Sequence, residues 1–184
     1  MGTILFAQVD SVQVLKFVGD VRVTLGPTIS KYLESIGQDS RLKSIVIDLT
    51  ETTCIDSTSL GLLAKISLRS QDALKVLPTI VSTNDDVTRI LTSMGFERVF
   101  LIVGDTDICC EQMGELPESS ATEAELRDQV LEAHRILMKL SKDNELKFRD
   151  LVAALELEQL EARGEDESDC LPEPAPGRYA HGRR

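Results

Sequence analysis

The sequence predicts an α/β fold, a mixed β-sheet with helices packed on it, extended at the C-terminus by a helical hairpin. Three observations carry that expectation. Between residues 4 and 103, short β-branched runs alternate with stretches whose apolar residues recur every three or four positions. From residue 126 onward the periodicity is helical only. Between the two regions, Gly114-Glu115-Leu116-Pro117 breaks both patterns, as a linker does.

Each element has its own signal. Ile4–Val9 and Val12–Val18 are apolar and β-branched, and the polar break at Asp10-Ser11 lets them pair as a hairpin. Asp20 to Pro27 turns the chain into a helix that places Ile29, Leu33 and Ile36 on one face. Ser44–Leu49 is a continuous apolar run ending at Asp48-Leu49, the pattern of a strand buried on both faces. A packed helix follows at Leu60–Leu68, with Leu60, Leu63, Ala64 and Ser67 on its inner side. Leu77–Val81 reads as a strand, Val87–Ser93 as a helix and Val99–Val103 as the last short strand.

In the C-terminal part, Leu126, Val130, Ala133, Leu137 and Leu140 form one apolar seam at four-three-four-three spacing. Phe148, Leu151, Val152 and Leu155 continue a similar stripe, and Ser141-Lys142-Asp143-Asn144 between them carries N-cap chemistry. Helices this amphipathic must cover their seams with each other, with the main domain or with another chain. The resulting plan is a domain over residues 1–110, a linker over 111–118, a helical extension over 119–163 and a disordered tail over 164–184. That tail is acidic, then carries Pro172, Pro174 and Pro176, and ends in Arg183-Arg184.

Composition narrows the function. The 184 residues carry 20 Lys+Arg against 31 Asp+Glu, a net charge of −11, and 42% of them are apolar, enough for a real core. An acidic chain does not displace counterions from phosphates, so nucleic acid is not the expected partner. Attraction to an anionic membrane surface is disfavoured for the same reason. The acidity is uneven: 13 acidic against 10 basic side chains in residues 1–110, and 18 against 10 in residues 111–184. No apolar run approaches the ~20 residues that span a bilayer. Met1–Asp10 lacks the pattern of a signal peptide, so the expected location is cytoplasmic. Cys54, Cys109, Cys110 and Cys170 make no Cys-x-x-Cys pair and read as free thiols.

The informative stretch is Cys54-Ile55-Asp56-Ser57-Thr58-Ser59-Leu60-Gly61-Leu62-Leu63, between a buried strand and a Leu-rich helix. The plain reading is that Ser57 caps that helix, satisfying one of its free N–H groups, with Asp56 beside the positive end. The sharper reading is a regulated hydroxyl. A phosphate there would add about −1.5 to −2 charges and three acceptor oxygens. A helix N-terminus tolerates such an anion, so the domain stays folded while a docked partner is disturbed.

Ile55-Asp56-Ser57-Thr58-Ser59-Leu60-Gly61 resembles the phosphorylation motif of anti-sigma factor antagonists, the bacterial STAS domains. The resemblance covers roughly residues 4–104. It takes in the strand Ser44–Leu49, Gly19-Asp20 after the second strand, Asn84 to Leu91 opening the later helix, and Gly95-Phe96 before the last strand. It implies a STAS fold and a protein that is not an enzyme, with Ser57 phosphorylated and Asp56, Ser57, Thr58, Ser59, Leu60 and Gly61 shaping the partner-binding surface. It further implies that the unphosphorylated form binds an anti-sigma factor and frees its sigma factor. A serine kinase would reverse this, and a metal-dependent phosphatase would restore it. The family carries glycine where this chain has Ser59, which stiffens the loop and makes Ser59 a competing acceptor; Thr58 is the second candidate. The helical extension is similar to that of the anti-anti-sigma factor in the HptB-linked secretion and biofilm pathway, which implies a flagellar anti-sigma target.

Other signals weigh less. Asp48 at a strand end resembles a receiver's phosphoacceptor. The paired acidic cluster such a site needs for Mg²⁺ is missing, and no lysine lies between Lys75 and Lys139. His134, on the first C-terminal helix, is a conceivable phosphotransfer acceptor, so a receiver-type or phosphotransfer protein using Asp48 or His134 is the alternative reading. His134 and His181 are the two histidines, so neither a metal site nor a cofactor is expected. No Gly-x-Ser-x-Gly or Gly-x-x-x-x-Gly-Lys pattern occurs. The acidic runs Glu156 to Glu161 and Glu165 to Asp169 read as solvated faces.

Overall fold

The computed structural model describes residues 2–36, 38, 40–105 and 112–168, with side chains of the last helix through residue 161. Cys109, Cys110, Cys170, His181 and the tail from residue 169 lie outside the described residues. Six strands form one mixed sheet: β1 (Thr3–Val9), β2 (Val12–Val21), β3 (Ser44–Ile55), β4 (Thr79–Val81), β5 (Leu101–Val103) and β6 (Gly114–Glu115), in the order β5-β4-β3-β2-β1-β6. β1 and β2 are antiparallel, joined across Asp10-Ser11 with Val9 opposite Val12. Asp10 takes φ 54°, a left-handed conformation that a short polar side chain tolerates. β2, β3, β4 and β5 run parallel to one another, and α1 (Gly26–Ser35), α2 (Ser57–Leu74) and α3 (Asp85–Ser93) make the crossovers.

The expected elements are present, with shifted limits. β3 continues six residues past Leu49 because β2 goes on pairing with it, Val18 opposite Glu51 and Val21 opposite Ile55, even though Glu51 and Thr53 face solvent. Asp48 is therefore inside the strand, not at its end. Gly19-Asp20 likewise lies within β2, where the register with β3 shifts and Gly19 takes φ 74°. α2 runs beyond Leu68 to Leu74, through a stretch that carries Arg69, Ser70, Gln71 and Asp72, and Lys75 ends it in the left-handed conformation. Phe96–Arg98 form a 3-10 turn after Gly95 (φ 77°), which delays the last parallel strand to Leu101. Inside the expected linker, β6 pairs with β1, and the Leu116 N–H donates to the Ile4 carbonyl at 2.9 Å. Pairing of this kind uses backbone groups and leaves no side-chain pattern to read.

Ile45, Ile47 and Leu49 of β3 point into the main core, where Ile29 and Leu33 of α1, Leu60, Leu63 and Ile66 of α2, and Val87 and Leu91 of α3 meet them. Val14, Val46 and Val81 make a smaller cluster of their own. The extension consists of α4 (Glu123–Leu140) and α5 (Lys142–Ser168), with Ser141 alone between them. Thr122 and Glu125 form a capping box at the start of α4, and the Ser141 hydroxyl accepts from the Asn144 N–H at 3.1 Å to start α5.

The seams cover each other and the domain. Ala133, Ile136, Leu137, Leu140 and Phe148 join the main core cluster. Leu151, expected in the stripe, is exposed instead, while Phe148 and Val152 are buried. The hairpin turn is held to the domain by polar bonds. Buried Asn144 donates from Nδ2 to the carbonyls of Met94 and Leu137, both at 2.9 Å, and Arg98 donates to the Leu140 carbonyl at 2.6 Å.

Candidate functional site

The site is the junction of β3 and α2. Its cap is Asp56, not Ser57. Asp56 has extended backbone (φ −86°, ψ 165°), and its Oδ1 accepts from the Ser59 N–H at 2.7 Å. Its Oδ2 accepts from the Val23 N–H at 2.8 Å, while its own N–H donates to the Val21 carbonyl at 3.1 Å. One carboxylate thus closes the helix start and ties it to the chain leaving β2. Ser57 becomes the first helical residue, and capping does not use its hydroxyl.

That hydroxyl instead meets α4. Ser57 Oγ lies 2.9 Å from His134 Nε2, and His134 Nδ1 lies 2.8 Å from the Val130 carbonyl oxygen. A carbonyl only accepts, so Nδ1 carries a proton, and in the neutral imidazole Nε2 then accepts from the Ser57 hydroxyl. The imidazole is 2% exposed and stands edge-on to Phe148, ring centroids 5.1 Å apart.

Two further contacts continue along the same face of α2, at four-residue spacing. A Cβ on Gly61 would lie 2.4 Å from the Ala133 carbonyl oxygen and 2.6 Å from Ala133 Cβ, so only glycine lets α4 approach this closely. Lys65 Nζ then pairs with Glu132 Oε2 at 2.5 Å. Hydroxyl, bare backbone and ammonium on α2 are answered by imidazole, alanine and carboxylate on α4.

The fold gathers the six expected site residues at one helix start but treats them differently. Asp56 and Ser57 are half-buried; Thr58, Ser59, Leu60 and Gly61 are buried. Ser59 has no solvent exposure, and its Oγ has no hydrogen-bond partner among the described residues. Before the junction, Asp20 accepts from the Thr53 hydroxyl at 2.7 Å and from the Cys54 thiol at 3.3 Å. These bonds, Thr53's first, hold the Asp20 carboxyl below the usual range. The bond to Asp20, then burial, pushes the Cys54 thiol up.

Asp48 serves the sheet: its Oδ1 accepts from the Thr50 N–H at 2.8 Å and hydroxyl at 2.6 Å, and its Oδ2 lies 3.7 Å from Lys16 Nζ. The bond to Glu51 is the main cause that raises the Lys16 ammonium. Among the described residues, no group of three or more His, Cys, Asp or Glu could hold a metal ion. No helix there is long and apolar enough to cross a membrane. Sequence reasoning set His134 aside; the usable signal was a polar ring beside Ala133 within an apolar seam.

Residues 3–107 match the STAS domain family. The chain belongs to the STAS family. Among solved structures, an anti-sigma factor antagonist from Mycobacterium paratuberculosis shares the STAS fold at 20% identity and a TM-score of 0.51, over 58% of this chain and 89% of that one. The antagonist SpoIIAA in its unphosphorylated form is similar at 14% identity and a TM-score of 0.45, over 56% of this chain and 90% of that one. For the phosphorylated Bacillus SpoIIAA the values are 11% and 0.45, over 55% and 92%. No match was found among curated proteins. STAS is a regulatory fold and not a catalytic one, and the α4–α5 hairpin lies beyond the matched region.

Proposed function

We propose that this STAS protein is an anti-sigma factor antagonist switched at Ser57. Unphosphorylated, it binds an anti-sigma factor, with the flagellar one as the candidate, and so frees the sigma factor. A serine kinase moves the terminal phosphoryl group of a nucleoside triphosphate onto Ser57 Oγ, with loss of the hydroxyl proton. A metal-dependent phosphatase returns the hydroxyl by hydrolysis. The observation that carries this reading is the division of labour at the helix start. Because Asp56 makes the cap, the Ser57 hydroxyl can be esterified without uncapping α2. The helix N-terminus accommodates the added anion. The new charge acts on whatever is docked there, through desolvation and repulsion of acidic neighbours.

The test is chemical and functional together. Protein isolated from cells should carry acid-stable phosphate on Ser57, located by peptide mass spectrometry. Ser57→Ala should bind the anti-sigma factor constitutively, and Ser57→Asp weakly. An acid-labile phosphate, or equal affinity of the two variants, refutes the reading.

A further inference from the structure

We infer that the α4–α5 hairpin is a displaceable lid on the Ser57 face, so that an anti-sigma factor or kinase reaches Ser57 only after α4 leaves α2. This rests on the reading of Ser57 as the switch. Two independent observations support it. The STAS match ends at residue 107, and the Mycobacterium paratuberculosis structure aligns over 89% of its own length with only 58% of this chain. A STAS domain therefore closes without such a hairpin, and α4 covers a helix face that the fold does not need covered.

The second observation is the chemistry of the covered face. Its three positions at four-residue spacing are a hydroxyl, a glycine and a lysine, not the interlocking large side chains of a core. Of these contacts the Lys65–Glu132 pair is solvent-exposed, so the ammonium can exchange one carboxylate for another at little cost, and the Ser57 hydroxyl needs only another acceptor in place of the buried His134. Apolar packing by Leu137, Leu140 and Phe148 holds the lid down until an incoming surface replaces it. That surface must supply what α4 supplies: a carboxylate for Lys65, a small residue opposite Gly61 and an acceptor for the Ser57 hydroxyl. Lid and partner then compete for one face, and any substitution that loosens the lid favours both binding and modification.

The experiment uses the full chain in two arms. In amide hydrogen exchange, residues 131–137 of α4 should exchange through a local opening, roughly tenfold or more faster than the β3 amides, with weak dependence on urea. If α4 and β3 exchange at one rate with one urea dependence, the hairpin is an integral part of the core and the lid is refuted. In the second arm, Ala133→Leu, which crowds the Gly61 contact from the α4 side, is isolated from cells beside the unmodified chain. Its phosphorylated fraction at Ser57 should rise several-fold while β3 exchange stays unchanged. Equal phosphorylation of the two proteins overturns the lid. Local opening of α4 with no phosphate on Ser57 in either protein leaves the lid standing and overturns the switch.

Discussion

Adding one methyl group at Gly61 tests the contact between α2 and α4 with opposing effects on the two parts. Within α2, Gly61→Ala removes the helix penalty of glycine, a gain of about 1 kcal/mol for the STAS domain. Across the interface the new Cβ would lie 2.4 Å from the Ala133 carbonyl oxygen and 2.6 Å from its carbonyl carbon, both backbone atoms that no rotamer change can move away. Overpacking of this kind costs ~1–3 kcal/mol when the structure yields by shifting. The propensity gain is the same with α4 docked or undocked, so it cancels from the docking equilibrium and the full clash falls on the hairpin. Protection of α4 amides over residues 131–137 should fall by roughly 5- to 150-fold. Over the same measurement, β3 amides should hold or gain protection. Native-state hydrogen exchange with mass-spectrometric or NMR detection reads both regions in one sample. Unchanged or increased protection of α4 in Gly61→Ala would refute the claim that glycine is what permits the approach.

Three more outcomes are expected. Asp56→Ala removes the cap and leaves the Val23 and Ser59 N–H groups without their acceptor. Urea denaturation should show a loss of about 1–3 kcal/mol, and a loss near zero would argue against the carboxylate's double role. Asp20→Asn takes the negative charge away from the Cys54 thiol, whose pKa that carboxylate raises. The pH profile of Cys54 alkylation, followed by peptide mapping, should move to lower pH, and an unmoved profile contradicts the assignment. Finally, the bonds from Thr122 hold the Glu125 carboxyl below its ordinary value of 4.5. A lowered carboxylate pKa stabilises above the unfolded value and is lost as pH falls through the folded one. The first turn of α4 should therefore keep its cap at pH 4.5 and fray only as the pH falls further, seen as faster exchange at Glu125 and Leu126, and retained protection in acid would contradict the capping box.

Much of this protein was legible in its sequence because local periodicity and burial coincide in the central elements. Ser44–Leu49 read as an interior strand because a short β-branched run is the pattern of strands covered on both faces, and it lies in parallel pairing between β2 and β4. The Ile55–Gly61 motif marked the start of α2, and the periodicity of Val87–Ser93 marked α3, whose cap at Asn84 the structure supplies. Where the pattern weakened, the reading stopped short. The second half of β3 carries polar, solvent-facing Glu51 and Thr53, and the residues of α2 after Leu68 are largely polar.

The amphipathic seams required α4 and α5 to be covered, because an exposed apolar stripe is unstable in water. They did not say by what. That was decided by three-dimensional proximity between residues 77 positions apart, Ser57 and His134, and by a glycine whose missing side chain matters only once a second helix lies against it. The cap, too, went to Asp56 because the chain leaving β2 brought the Val23 N–H within reach of its second oxygen. Sequence alone determined that a hydroxyl stands at a helix start. The tertiary structure determined that it is left free of capping and covered by α4, since hydrogen bonds and close packing depend on distances that spacing along the chain does not encode.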